Sequence, residues 1–212
     1  MEDGIAVDTS PALEFWFDFA SPYSYLAASR IEALASAKHL RIRWRPLLLG
    51  PIFKRRASNP SAFQDAGPEE KRYRRRDVER LCEMYGLPLS WPSNYPRGSL
   101  LATRVALIAS YEEWCGPFAR AVFTSNFSDD RDIATEAVVT SILAGLGRNA
   151  EETVARAVQP ETKARLAEQV DEAIAKGIFG APSFIVGAEL FWGNDRLEQA
   201  IEWACRPIVR EE

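Results

Sequence analysis

The chain has 212 residues, of which 47% are hydrophobic and 26% charged, an ordinary composition for a globular protein with a substantial core. Its formal net charge of −4 gives no long-range attraction to nucleic acid or to anionic lipid. No segment has the roughly 20 apolar residues that cross a bilayer, and the acidic N-terminus lacks the apolar core of a signal peptide, so we expect a cytoplasmic protein that binds neither nucleic acid nor membrane.

The first part of the chain predicts a strand, a helix and a second strand. An aromatic, apolar run at 13–19 is typical of a buried strand, and apolar residues recur at helical spacing over 22–37. Residues 41–45 alternate as a strand does. This order predicts a parallel pair of strands joined by a crossover helix.

The rest of the chain predicts helices and then a hairpin. Helices are expected at 68–85, from Ser99 to about 114, from Pro117 onward, at 132–146, at 160–176 and at 195–205. Two short apolar runs, 183–186 and 189–192, are separated by Gly187-Ala188, which favours a tight hairpin. We therefore predict an α/β domain formed by residues 1–47 and 170–212, interrupted by an all-α insertion at 48–169.

Ser21 stands where the first strand meets the first helix, and two interpretations apply to it. It can be simply the N-cap, with Pro22 in the favoured first helical position. It can also donate its proton to an anion, because a helix N-terminus carries partial positive charge. His39 is the only histidine and lies about 27 Å along a helix from Ser21, so a Ser-His nucleophile is not predicted.

Pro182 leads the first run of the hairpin. An ordinary trans proline opening an edge strand is one interpretation. A cis Ala181-Pro182 bond would instead expose the backbone N–H and C=O of Ala181 for strand-like pairing with an extended peptide. The sequence alone leaves both open.

Three stretches resemble a known family: FDFASPYSYL at 17–26, GIFGAPSF at 177–184 and LFWGNDRL at 190–197. They are similar to 2-hydroxychromene-2-carboxylate isomerases, which are relatives of kappa-class glutathione transferases, and the likeness covers nearly the whole chain. The resemblance implies an α/β fold in which a thioredoxin-like domain is interrupted by a large all-α insertion. It also implies glutathione as cofactor and a homodimer.

The resemblance assigns roles to ten residues. Ser21 would activate the glutathione sulfur, and Ala181, beside a cis Pro182, would pair with the tripeptide backbone. The γ-glutamyl end would be held by Trp192, Gly193, Asn194 and Asp195. A small aromatic carboxylate, the second substrate, would contact Lys54, Asn59 and Tyr95. No metal is expected. Asp195 with Glu198 also matches a capping box, so pure helix capping remains an alternative for Asp195.

Three further features of the sequence bear on function. Gly98 stands where many relatives have Asn, which leaves the exact substrate open. The segment 114–117, WCGP, imitates a redox motif but lacks the second Cys, and a Gly-Pro helix break explains it. The basic run at 71–76 is flanked by acidic residues at ion-pair spacing, so we interpret it as a solvated helix face, with the option that one arginine lines the ligand channel.

The resemblance implies a glutathione-dependent isomerase that converts 2-hydroxychromene-2-carboxylate to trans-o-hydroxybenzylidenepyruvate in aromatic catabolism. Two alternatives remain at this stage. The first is a kappa-like glutathione transferase or peroxidase. The second is a non-catalytic thioredoxin-fold module that binds thiols or peptides.

Overall fold

The structure is a computed structural model that describes residues 12–55 and 66–206. Its elements, in chain order, are β1 (Ala12–Phe17), α1 (Pro22–Ser36), β2 (Arg41–Pro46), α2 (Leu49–Arg55), α3 (Pro68–Tyr85), α4 (Leu100–Tyr111), α5 (Cys115–Phe127), α6 (Glu136–Gly145), α7 (Ala150–Ala157), α8 (Pro160–Ala175), β3 (Ser183–Val186), β4 (Glu189–Trp192), a 3-10 helix (Asn194–Arg196) and α9 (Leu197–Ala204).

The four strands form one mixed sheet in the order β2-β1-β3-β4. β1 pairs in parallel with β2, which confirms the predicted crossover, and antiparallel with β3, with Phe15 opposite Phe184. β3 and β4 form the predicted hairpin. Because β1 is central and covered on both faces, its last three residues are all buried, which explains a continuous apolar run in place of alternation.

α1 begins sharply because its sequence supplies both a cap and a rigid first turn. Ser21 is the N-cap in an extended conformation, and Pro22 occupies the first turn. Leu26, Ile31 and other apolar residues of the helix face inward and are buried. The first turn of α1 is thereby fixed directly beyond the end of β1.

The elements from α3 to α7 are all helical, as predicted for the insertion, and they share a core with the sheet. Phe123 of α5 contacts Phe17 and Phe19, with ring centroids 5.9 and 5.0 Å apart. Phe127 stacks on Tyr25 of α1 at 5.5 Å. The insertion therefore packs directly over the end of β1 and the start of α1.

The structure adds to and corrects several predicted bounds. α2 and α7 were not expected, α5 begins at Cys115 and not at Pro117, and α6 begins at Glu136, four residues after the predicted start. α8 runs across residue 170, where the sequence placed a domain boundary, and that boundary stays a prediction. Among the helices of the described residues, none has both the length and the apolar character needed to cross a membrane.

Candidate active site

The hydroxyl of Ser21 has two hydrogen bonds that together define the candidate site. Its Oγ accepts the backbone N–H of Ser24 at 3.2 Å, which confirms the N-cap interpretation. The same Oγ donates to the carbonyl oxygen of Ala181 at 2.9 Å. Capping α1 is therefore not the only role of the hydroxyl, because the hydroxyl also donates to the segment that leads into β3.

The loop between β1 and α1 is held by a buried carboxylate, Asp18. Its two carboxylate oxygens accept the N–H groups of Ala20 and Leu49, each at 2.8 Å, and its carbonyl accepts the N–H of Ser21 at 3.0 Å. Burial raises the pKa of the Asp18 carboxyl, against the lowering effect of the two backbone donors. Asp18 thus joins the start of α2 to the turn that presents Ser21.

The segment opposite Ser21 has the geometry expected for a peptide-binding edge. The Ala181-Pro182 bond is cis, which confirms the cis bond that the resemblance implied and excludes the trans interpretation. The Pro182 carbonyl accepts the N–H of Gly193 at 3.0 Å, so this segment and the turn after β4 are held together. A Cβ at Gly180 would lie 2.4 Å from the indole nitrogen of Trp192, so the close approach of these two residues requires glycine.

The turn after β4 carries four of the expected ligand residues. Trp192 is half-exposed and packs on Phe179, with ring centroids 4.7 Å apart. Gly193 has φ of +114°, and a Cβ there would lie 2.4 Å from Oδ1 of Asp195. Asp195 lies inside the 3-10 helix, is not its N-cap, and has a side chain that is 73% exposed. The helix-capping interpretation of Asp195 is therefore wrong, and its carboxylate faces solvent.

Asn194 differs from its neighbours because its side chain turns into the protein. The residue is buried, and its Oδ1 accepts a hydrogen bond from Arg30 of α1 at 3.1 Å. Arg30 also pairs with Glu198 and stacks over the ring of Tyr85 at 4.1 Å. Arg30 thereby ties the turn to α1 and α3. No local pattern in the sequence marks Arg30, since each of these partners is more than fifty positions away.

The structure describes two of the three residues that are expected to contact the second substrate. Tyr95 packs edge-on against Trp91 at 5.8 Å, and burial, followed by the nearby Asp18 carboxylate, raises the pKa of Tyr95 above its ordinary value. Its hydroxyl is protonated at neutral pH, as that of an ordinary tyrosine also is. Lys54 is exposed near the C-terminal end of α2, whose first residue contacts Asp18. Asn59 lies outside the described residues.

The basic run on α3 is an ion-paired helix face, as the sequence predicted. Arg72 pairs with Glu69, Arg75 and Arg76 with Glu79, and Arg74 with Glu70. Arg74 has the most buried side chain of these arginines, 29% exposed. It lies one turn before Asp77, which accepts a hydrogen bond from Tyr23 of α1 at 2.9 Å, so α3 presents this face to the first turn of α1.

The imitation redox motif has no reactive thiol. Cys115 begins α5 and is buried, and burial raises the pKa of its thiol far above the ordinary value. The preceding element is helix α4 and not a strand. His39 lies beyond the opposite end of α1 from Ser21. Within residues 12–55 and 66–206, no three His, Cys, Asp or Glu side chains are grouped to hold a metal ion.

Taken together, the site pairs a hydroxyl donor at a helix N-terminus with a backbone edge and an exposed carboxylate. Ser21, Ala181, Pro182 and Gly193 are connected by direct hydrogen bonds or along the chain. A histidine base for Ser21 is absent from the described part of this site, so the arrangement suits hydrogen-bond donation to a bound anion better than attack by Ser21 itself.

Comparisons with known proteins place the chain in one family. A family model described as a DSBA-like thioredoxin domain matches residues 12–202. The 2-hydroxychromene-2-carboxylate isomerase of Pseudomonas putida is 30% identical over 206 residues, covering 92% of this chain and 96% of the relative. Glutathione S-transferase kappa 1 of Rattus norvegicus is 26% identical over 203 residues, covering 88% of this chain and 87% of the relative.

A solved structure gives the same result. The structure of a selenomethionyl 2-hydroxychromene-2-carboxylate isomerase superposes with a TM-score of 0.83 at 28% identity, covering 92% of this chain and 96% of the other. These relatives support an enzyme of the isomerase or glutathione transferase type. The chain belongs to the DSBA-like thioredoxin family, in the group that contains 2-hydroxychromene-2-carboxylate isomerases and kappa-class glutathione transferases.

Proposed function

We propose that the protein is a glutathione-dependent isomerase of 2-hydroxychromene-2-carboxylate or of a similar small aromatic carboxylate, with trans-o-hydroxybenzylidenepyruvate or its counterpart as product. The observation that carries the proposal is the Ser21 hydroxyl, which caps α1 and donates to Ala181 at 2.9 Å. Isomerase relatives that align over nearly the whole chain support the reaction type.

The residues around Ser21 fit a tripeptide with a free thiol. Ala181, beside a cis proline, offers a strand-like backbone edge, and the half-exposed Trp192 with Gly193 borders that edge. The exposed Asp195 carboxylate suits the ammonium of a γ-glutamyl group. Asn194 would support the turn through Arg30. Bound glutathione would supply a thiolate that adds reversibly to the conjugated substrate and is regenerated in each turnover.

Ser21 would stabilise this thiolate by exchanging one hydrogen bond for another. In the structure the Ser21 hydroxyl donates a hydrogen bond to the Ala181 carbonyl. A peptide N–H that pairs with this carbonyl takes over as its donor, and the Ser21 proton is then free to turn to the sulfur. The partial positive charge at the start of α1 adds to the effect. Because the exchange leaves no polar group unpaired, it costs little.

The second substrate would meet the side of the site formed by α2 and the 95–97 loop. Tyr95 would donate a hydrogen bond through its protonated hydroxyl and offer a ring face. Lys54 would pair with the substrate carboxylate. Asn59 belongs to the same proposal by resemblance alone.

Replacing Ser21 by Ala tests the proposal. Activity is followed by the ultraviolet absorbance of the chromene with and without glutathione, and the pKa of bound glutathione by thiolate absorbance across a pH series. We expect Ser21→Ala to raise that pKa and to lower kcat about 100-fold, the usual effect of removing one hydrogen-bond donor to a developing anion. Ser29→Ala is the control, because the Ser29 hydroxyl donates to the Leu26 carbonyl within the same helix.

Two results would contradict the proposal: turnover that does not depend on glutathione, and wild-type activity in Ser21→Ala. The kappa relatives favour a second candidate, a glutathione transferase, in which glutathione is consumed as product forms. Measuring free thiol during turnover separates the two, because an isomerase leaves the thiol concentration constant. Binding of glutathione with no change in its thiol pKa would instead indicate a non-catalytic binding module.

A further inference from the structure

Arg97, two residues after Tyr95, is a buried arginine. Its side chain is 3% exposed, and its guanidinium is surrounded by acceptors from the last turn of α5 and from the loop that follows it. One nitrogen, Nη1, donates to the carbonyl oxygens of Asn126 at 3.4 Å and Arg131 at 3.0 Å. The other, Nη2, donates to the carbonyl of Asp130 at 3.2 Å and pairs with its carboxylate. The cation therefore fixes the 95–97 loop against residues 126–131.

The side chain of Asn126 extends this network to the candidate active site. Its Oδ1 accepts a hydrogen bond from Nη1 of Arg97 at 3.2 Å. Its Nδ2 donates to the carbonyl of Phe19 at 3.0 Å, and Asn126 is completely buried. Because Oδ1 faces the cation, the amide can present only its donor to Phe19, so Arg97 dictates the orientation of this bond.

Phe19 is two residues before Ser21 in the turn between β1 and α1. On the other side of that turn, Asp18 accepts the N–H of Ala20, and its carbonyl accepts the N–H of Ser21. Asn126 thus fixes the peptide plane that precedes Ala20 from the insertion side. The direction of the Ser21 hydroxyl depends on the planes of this short turn, which sit at the end of a buried strand.

We propose that Asn126 and Arg97 are positioning residues that fix the two halves of the site, the Ser21 turn and the Tyr95 loop, to one buried cation. This inference rests on the proposed function, since it concerns the same site. Neither residue is placed to touch a ligand. Asn126 contacts the Ser21 half directly and the Tyr95 half only through Arg97, which keeps its bonds to Asp130 and Arg131 without the Asn126 side chain. Arg97 acts on both halves because it is also part of the loop that carries Tyr95.

The two roles predict different kinetic effects. Asn126→Ala leaves the Phe19 carbonyl without its donor, loosens the Ser21 turn and raises the pKa of bound glutathione. At an assay pH below the pKa of the bound thiol, a rise of about one unit in that pKa lowers the thiolate fraction about tenfold. Under these conditions we expect kcat to fall about tenfold while KM for the aromatic substrate stays unchanged. Arg97→Lys keeps the positive charge beside Asp130 but loses the planar fork, so it should lower kcat similarly and also raise KM for the aromatic substrate.

The control is Thr103→Val. Thr103 is a fully buried polar residue of the same insertion, and its Oγ1 donates to the carbonyl of Ser99 at 2.8 Å, away from the Ser21 turn. Thr103→Val removes this bond, whereas Asn126→Ala removes two, to Arg97 and to Phe19, so the control shows the effect of losing a buried side-chain hydrogen bond in the insertion that does not reach the turn. Thermal unfolding of all variants measures their general loss of stability.

Two readouts separate positioning from a merely structural role. In the protein without glutathione, hydrogen exchange at the amides of Ala20 and Ser21 should accelerate in Asn126→Ala and Arg97→Lys but not in Thr103→Val. With glutathione, thiolate absorbance should show the raised pKa in the same two variants only. If Asn126→Ala does not fold, Arg97→Lys carries both measurements.

The outcomes distinguish this inference from the proposed function. If the wild type does not lower the pKa of bound glutathione, the proposed function fails. If the wild type lowers it and both variants match Thr103→Val in exchange and thiol pKa, the proposed function stands and the positioning role is overturned. Changed exchange at the turn together with a raised thiol pKa supports the positioning role.

Discussion

The conformation of Gly193 decides how the turn after β4 can approach a ligand. Its φ of +114° lies where side chains other than glycine are strained, and a Cβ would lie 2.4 Å from Oδ1 of Asp195. A substitution would therefore both distort the backbone and displace the carboxylate proposed to bind the γ-glutamyl ammonium.

We predict that Gly193→Ala lowers glutathione affinity at least about tenfold, a loss of about 1.4 kcal/mol that is within the usual cost of such backbone strain. Isothermal titration measures the affinity. Gly147→Ala is the matched control, because Gly147 also has a positive φ, of +68°, but a Cβ added there would meet no neighbouring atom of the described residues within 4 Å. Equal affinity in the two variants, with equal losses of stability, would show that the turn does not bind glutathione.

Residue-level prediction from sequence succeeded where the cause is local and failed where it is not. Ser21 is readable as an N-cap because Pro22 and the helix follow it directly. Asp18 lies within the motif at 17–26 and is buried. A carboxylate directly after a buried strand is a local signal that could have identified Asp18 as a residue that holds the Ser21 turn. Arg97 could not be identified in this way, because its acceptors come from a loop about thirty residues later.

At the scale of elements, the loop between α5 and α6 depends on a strained and charged residue. Asp130 has a φ of +51°, and its carboxylate accepts the N–H of Ser93 at 2.8 Å and pairs with Arg97. The Ser93 N–H, followed by Arg97, lowers the pKa of Asp130 below its ordinary value. A lowered pKa in the folded state means that the ionised carboxylate stabilises this loop.

We predict that this contribution is complete at neutral pH and is lost on acidification. The folded pKa lies below the unfolded value of 3.8, so the unfolded state takes up the proton first and stability declines as the pH falls below about 4. Melting temperatures of the wild type and Asp130→Asn should therefore differ most at pH 7 and converge in acid. A difference that is constant from pH 7 to pH 3 would exclude the carboxylate as the cause.

Two helices were missed by the sequence analysis for different reasons. α2 contains Gly50-Pro51 in its first turn, a pair that usually indicates a break, although proline is well tolerated at a helix start. α7 is short, but Asn149 caps it by accepting the N–H of Glu152, a signal that was present in the sequence. The hairpin of β3 and β4 was readable because its turn is local.

At the scale of the whole molecule, the order of strands could not be predicted from local patterns. β3 pairs with β1, more than 160 positions earlier, and no periodicity in either run indicates that partner. The α/β class could be predicted from local patterns, whereas the thioredoxin-like arrangement of the sheet could be expected only through resemblance to a family. The same separation explains why the bond between Ser21 and Ala181 had to be seen in the structure.

The shared core predicts how the molecule unfolds. The sequence suggests two parts, but one buried cluster runs from β1 and α1 through α4, α5 and α6. Phe123 is central to it, since the residue is 1% exposed and its ring contacts Phe17, Phe19 and Tyr25. A part that shares its core with another part does not unfold independently of it.

We predict that Phe123→Ala lowers the free energy of unfolding by about 3–5 kcal/mol, the usual cost of removing a buried aromatic ring. The transition should remain single, with far-ultraviolet circular dichroism and tryptophan fluorescence coincident in urea. Phe191→Ala is the control, because Phe191 is only partly buried and packs on Trp203 at the edge of the sheet. If Phe123→Ala instead produces two separate transitions, the insertion has a stability of its own and the prediction of a single cooperative unit is wrong.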